Sequence, residues 1–256
     1  MTCSSIGAEA NTFSICAVDP ATGEAGVAVA SRCLSVGGLV PFARPGVGAI
    51  ASQAFVNPVC GPKGLALLAK GLSAQETIDR LTEADFVLAA PGSETDRVMI
   101  EHEMTEEGAD FTIDSAREKK LYFTSRIRQL GVVDREGNAA VHTGARVSPW
   151  CGSIVGDGFC CQGNLLAGEQ VISDMATAFE RARGAGKTMV AQLLAALEAG
   201  DEAGGDKRGK QAAGMLVVRD RGGWTGSDAY CDLRVDDHAD PVAELARILN
   251  KIGMAG

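Results

Sequence analysis

Residues 11–32, NTFSICAVDPATGEAGVAVASR, constrain the fold more than any other stretch of the chain. Phe13, Ile15 and Ala17 alternate with Ser14, Cys16 and Val18, which is the two-residue period of a β-strand. Asp19-Pro20-Ala21-Thr22-Gly23 is turn chemistry. Ala25 to Ala30 then reads as a second strand built from small residues. The arrangement puts Thr12 at the head of the first strand. A threonine there is either an ordinary β-branched strand residue or a nucleophile that acts once it has become a chain terminus.

The rest of the pattern runs strands, helices, strands, helices, strands, helix. Gly46 to Ala51 reads as a strand entered through Pro45, and Pro62-Lys63 opens a helix carrying Leu65, Leu67 and Leu68. Ser73 with Glu76 three residues later predicts a capping box for a helix to about Thr82. Residues 91–126 (EHEMTEEGAD, DSAREKK) are charge-rich and break the β pattern, so they read as an inserted surface excursion. Gln129–Asp134 and Ala139–Thr143 form a hairpin around Arg135–Asn138, and Phe159–Gly163 is a strand. Helices are expected at about 168–183 and 187–199, a loop at 200–205, and strands at Met215–Arg219 and Tyr230–Val235. Asp240-Pro241 supplies an N-cap and N1 proline for a last helix to about Lys251. With neither repeat nor linker, residues 1–256 read as one domain of α+β layers rather than alternating βαβ units.

At 46% hydrophobic residues, 256 residues can bury one large core or at most two small ones. The net charge of −9 argues against nucleic acid or an anionic membrane surface as a partner. No apolar run approaches the ~20 residues of a membrane helix. The opening MTCSSIGAEAN lacks the basic start and apolar stretch of a secretory signal. The eight cysteines are scattered, with neither CxxC pairs nor a Cys/His ladder, so buried free thiols in a reducing cytoplasm are expected, and no metal or cofactor.

Several motifs fail on context. Gly46-Val47-Gly48-Ala49-Ile50-Ala51 matches a dinucleotide fingerprint, but the chain reaches Pro58 without a helix after it. Gly186-Lys187-Thr188 resembles the end of a phosphate loop, but the first glycine that loop needs would fall at Arg181, inside a helix. His102, His142 and His238 form no metal pair, and the acidic run Asp236–Asp240 reads as a solvated helix entrance. Threonine is a weak nucleophile at neutral pH unless a base removes its proton. At a chain terminus its own α-amine, with pKa near ~8, can be that base, given a means of keeping the amine neutral and donors for the oxyanion.

NTFSICAVDPATGEAGVAVASR, FARPGVGAIASQAFVNPVCGPKGLALL, QLGVVDREGNAAVHTGA, GFCCQGNLLAG, GGDKRGKQAAGMLVV and DLRVDDHADPVAEL together resemble the DUF1028 family, which is placed within the Ntn-hydrolase superfamily. The resemblance implies a four-layer αββα sandwich of two stacked, mainly antiparallel sheets, and an N-terminal nucleophile, here Thr12, acting on an amide bond. Val27–Arg32 is similar to the proteasome β-subunit strand that ends Asp-Ser-Arg, with Ala30 in place of the acid. The proteasome lysine falls near Arg44, which can hold the amine neutral by charge but cannot exchange protons in this range. The resemblance thus nominates Thr12, Arg44 and Asn164 for catalysis, and Ser31, Arg32, Gln53, Asn57 and Gln162 for substrate binding. The amides among these are either oxyanion and substrate donors or structural turn bonds.

For the amine to exist, Asn11–Thr12 must be cleaved; small residues over 7–11 (GAEAN) suit the exposed turn that an N→O acyl shift requires. Thr2, exposed by methionine removal, is another candidate, but Cys3-Ser4-Ser5-Ile6 does not match the family stretch. Two functions stand: an amidohydrolase for a small-molecule or peptide-like substrate, small or polar, and a non-catalytic binding or structural protein that keeps the fold without maturation. A homo-oligomer is expected of either.

Overall fold

The computed structural model describes residues 12–83 and 125–256. The excursion expected at 91–126 lies outside them apart from its last two residues, as do Asn11, the turn expected at 7–11, and His102. Strands β1 (Thr12–Asp19) and β2 (Glu24–Ser31) form the expected hairpin, with Thr12 opposite Ser31 and Asp19 opposite Glu24. They occupy the centre of a six-stranded sheet ordered β10-β9-β2-β1-β8-β7. Here β7 is Gly152–Gly156, β8 Phe159–Gly163, β9 Ala212–Val218 and β10 Ala229–Val235. A second sheet, ordered β3-β4-β5-β6, comprises Pro41–Arg44, Gly48–Ala54, Arg128–Asp134 and Ala139–Thr143. Every named pairing in both sheets is antiparallel.

Alternation along the strands sorts side chains into layers. Phe13, Ile15 and Ala17 of β1 face α3 (Gln170–Gly184), α4 (Met189–Glu202) and α5 (Pro241–Lys251), packing on Val171, Met175, Phe179, Leu193, Leu197 and Leu245. Cys16 and Val18 face the other way, with Val27, Val29, Ala49, Ala51, Val133 and Cys160, and join the two sheets. Ile50 and Val132 turn outward from the second sheet onto α1 (Cys60–Leu68) and α2 (Ala74–Glu83) through Leu68, Ala74 and Ile78. The result is four layers, helix–sheet–sheet–helix, as expected. Each fully buried aliphatic side chain contributes roughly 1.5–3 kcal/mol.

The helices follow their sequence signals. In α5, Val242, Leu245, Ala246 and Leu249 repeat at helical spacing and are all buried. At α2 the capping box is reciprocal: the Glu76 amide donates to Ser73 Oγ at 3.3 Å, and the Ser73 amide donates to Glu76 Oε2 at 2.9 Å. Gly186 and Lys187 lie in the turn between α3 and α4, where Thr188 caps α4 by accepting from the Ala191 amide. Asp134, 1% exposed at the end of β5, accepts from the amides of Glu136 and Asn138 in the hairpin turn and also from the Ala74 amide that opens α2.

Several readings change. The strand expected from Gly46 begins at Gly48 and runs to Ala54, because Pro45–Val47 turn the chain back from β3, an unexpected strand. Strand β7 was likewise unexpected. Strand β9 begins at Ala212, ahead of the Met215 expected, and α4 extends to Glu202 through residues expected as loop. Asp240 stands at the N-cap of α5, but its carboxylate accepts from Lys210 Nζ instead of capping.

Candidate functional site

The inter-sheet layer is apolar only along part of its length. At the end where β1 begins, the inward positions carry Thr12, Ser14, Ser31, Gln53, Gln129, Gln162 and Asn164, each at most 3% exposed. Strand parity puts them together. Thr12 and Ser14 share the face of Cys16 and Val18, and Gln53 shares that of Ala49 and Ala51; Gln129 follows Gly131 and Val133. Gly131 leaves room where Gln162 crosses it, since an added Cβ would collide with the Gln162 carboxamide.

Thr12 Oγ1 donates to Ser31 Oγ at 3.3 Å, across the β1–β2 pair. The Thr12 carbonyl accepts from the Asn164 amide at 3.0 Å and from Gln53 Nε2 at 3.3 Å. The orientation of the network follows from Gln129. Its Nε2 donates to the Gly163 carbonyl at 2.9 Å and to Thr143 Oγ1 at 3.0 Å, so Oε1 is the acceptor. Oε1 accepts from Gln53 Nε2 at 2.8 Å and Asn164 Nδ2 at 3.0 Å. Gln53 Oε1 accepts from the Ser14 hydroxyl at 2.6 Å, and Ser14 Oγ accepts from Gln162 Nε2 at 2.7 Å. Both branches end on acceptors: Gln162 Oε1 and Asn164 Oδ1 are buried with no hydrogen-bond partner among the described residues.

Thr12, Ser31, Gln53, Gln162 and Asn164 are thus brought together. The carboxamide nitrogens of Gln53, Gln162 and Asn164, expected as oxyanion or substrate donors, already donate within the network. Arg44 is not brought there. It is exposed and pairs with Gly48, five residues along β4 from Gln53 or roughly 16 Å of strand. The neighbouring Gly46 amide donates to the Gly23 carbonyl in the β1–β2 turn, at the opposite end of β1 from Thr12. The Arg32 side chain is exposed, and its guanidinium donates to the Arg208 carbonyl. Asn57 builds the entrance of α1, where its Oδ1 accepts from the Val59 amide at 3.1 Å. Gln129 and Ser14 were missed, although both sit at inward positions of strands recognised in the sequence; polar residues at core parity were the available signal.

A cavity of about 120 Å³ lies on the helix-facing side of the six-stranded sheet, lined by Phe13, Ala30, Ser31, Asp206, Lys210 and Pro241 among others; of the cluster only Ser31 reaches it. Lys210 Nζ lies 2.6 Å from Asp201 Oδ2 and 3.3 Å from Asp240 Oδ1. The Asp201 hydrogen bond holds the ammonium above its usual pKa, so it stays a cation at neutral pH. Asp206 is paired with Arg208 at 2.7 Å. Cys16, two positions past Ser14 on the same face, is pushed well above the usual thiol pKa by burial and then by Cys160, so it is no thiolate nucleophile at neutral pH. Among the described residues no group of three or more His, Cys, Asp or Glu side chains is placed to hold a metal ion. No helix among them is long and apolar enough to cross a membrane.

The class defined by these observations is a four-layer αββα sandwich with a buried hydroxyl–carboxamide cluster at the head of a central strand. The sequence model of a family of unknown function, DUF1028, matches residues 12–90 and 99–245, and the chain belongs to that family. The crystal structure of protein SPO2555 from Silicibacter pomeroyi, matched by the same family model, is similar over 94% of this chain and 85% of its own, with 28% identity and a TM-score of 0.70. No curated protein matches the chain.

Proposed function

We propose that the protein is an N-terminal-nucleophile amidohydrolase of the Ntn type, in which Thr12 is the nucleophile and the residues before it are removed. The observation that carries this reading is the position of Thr12: first residue of a central strand, with its hydroxyl on Ser31 and its carbonyl held by two donors. The family match also begins at Thr12. In the reaction, Thr12 Oγ bonds to the substrate amide carbon as its proton passes to the Thr12 α-amine. The C–N bond then breaks, the leaving nitrogen takes that proton, and an ester on Thr12 remains. Water, deprotonated by the same amine, attacks the ester and frees the acid and Thr12. We take the substrate to be a small, polar amide.

The test compares a form beginning at Thr12, behind a removable methionine, with its Thr12→Ala counterpart on an amide library. This form keeps every described residue. Hydrolysis by the first, with a loss of at least about 1,000-fold in the second, is expected. Equal activity in both would overturn the assignment of Thr12. The second reading, a non-catalytic binding protein, is favoured by the burial of Thr12, which is 0% exposed; inactivity of both forms on every amide would select it.

A further inference from the structure

The buried network has a direction, and its direction leaves a donor missing. Gln129 is anchored by the Gly163 carbonyl, so the Asn164 group facing Gln129 Oε1 must be the NH2. Asn164 Oδ1 therefore points away from Gln129, and it is fully buried with no donor among the described residues. A buried carbonyl oxygen without a donor forfeits its hydration with nothing in return. Asn164 is also tied to the main chain of Thr12, because its amide donates to the Thr12 carbonyl in the β1–β8 ladder. In an antiparallel ladder a hydrogen-bonding residue presents its N–H and C=O to the same neighbouring strand, so the Thr12 nitrogen is directed to the β8 side, toward Asn164.

We infer that Asn164 is a positioning residue whose Oδ1 receives an N–H from the α-amino group that cleavage before Thr12 creates. This rests on the reading of Thr12 as a terminal nucleophile. An amide nitrogen carries one hydrogen; an amine carries two or, protonated, three. Cleavage thus supplies the donor the network lacks. With one N–H held by Asn164, the lone pair of the neutral amine is turned away from β8 and is available to the Thr12 hydroxyl. Asn164 acts through the amine and does not touch substrate. Its NH2, spent on Gln129, is no oxyanion donor.

The charged surroundings leave Asn164 a distinct signature. Ser31 from β2, Gln53 from β4, Gln129 from β5, and Gln162 and Asn164 at the end of β8 carry no titrating group. On the loop after α4, Asp206 is paired with Arg208 and its carboxylate accepts from the Arg32 amide. Lys210 is held by Asp201 and Asp240. An acceptor on the ammonium favours the protonated form, and a carboxylate favours it more.

The experiment measures proton affinity of the Thr12 amine in the form beginning at Thr12, from the pH dependence of its reductive methylation followed by NMR. Asn164→Asp should raise that affinity about tenfold and move the acid limb of kcat to higher pH, and Asn164→Ala should lower the affinity. Equal values in all three proteins would overturn the inference. A crystal structure of the unsubstituted form provides a second readout that needs no variant to fold. The amine nitrogen should lie within about 3.2 Å of Asn164 Oδ1, and a separation beyond about 4 Å would overturn the inference. If the affinities fall in the expected order but no amide is hydrolysed, Asn164 keeps its role and the hydrolase reading fails. If amides are hydrolysed but the affinities do not move, the hydrolase reading stands and the role of Asn164 fails.

Discussion

The two ends of the inter-sheet layer are equally buried and are held together differently. Toward the β1–β2 turn, Val18, Ala25, Val27, Ala49 and Val133 meet as small apolar side chains. Their contribution scales with buried area and is non-directional. At the other end Thr12, Ser14, Gln53, Gln129, Gln162 and Asn164 are joined by hydrogen bonds whose donors and acceptors must match one by one. Such a network is worth little net while complete and costs much when one member is removed. The apolar end gives the sandwich its stability; the polar end gives it a site whose geometry is dictated atom by atom.

That contrast can be broken most severely at Gln129. Gln129→Leu keeps the volume but strands the Asn164 NH2 and the Gly163 carbonyl and weakens the hold on Gln53. A loss of about 4 kcal/mol is expected, read as a lower urea midpoint of the full chain. The reciprocal change, Val27→Thr, puts a hydroxyl of matching shape into the apolar end, where Val27 is 0% exposed. It should cost about 2 kcal/mol in the same assay. If the Gln129 change costs less than the Val27 change, the two ends do not differ in the way described.

A third, smaller effect sharpens the comparison with the outer helical layer. Burial, and then the charge of Asp232, raise the Cys231 pKa from 9.0 to about 12. A raised folded value favours the protonated thiol in the native state, so its contribution is complete below pH 9 and is lost as pH rises from 9 toward 12. Between pH 9 and 10 about 1 kcal/mol should go. Cys231→Ala should flatten the alkaline slope of stability by that amount, and an unchanged slope would show that Cys231 titrates normally.

The layers were readable in the sequence because alternation is local: Phe13, Ile15 and Ala17 declare one face of β1 without reference to any partner. Thr12 and Ser31 could be singled out because a strand head and a strand end have positions in one hairpin. Arg44 could not be placed that way. Its location depends on where the chain turns after β3, and the strand read from Gly46 hid a three-residue turn. Gln129 escaped for a related reason. It looked like one polar residue in a half-buried strand, and only the stacking of the second sheet on the first shows that this parity points into a buried layer. Asn57 had the right side chain and the right neighbourhood, yet the start of α1 uses it first.

The Asp134 carboxylate joins parts of the chain far apart in sequence. One oxygen receives the amides of the β5–β6 turn and the other receives the first amide of α2. Opening that turn therefore releases the head of α2 as well, and the helix cannot fray from this end while the turn is closed. In hydrogen-exchange terms, Ala74 belongs to the cooperative unit of the hairpin and not to that of its own helix. Its amide should exchange at the pace of Asn138 and more slowly than the far end of α2.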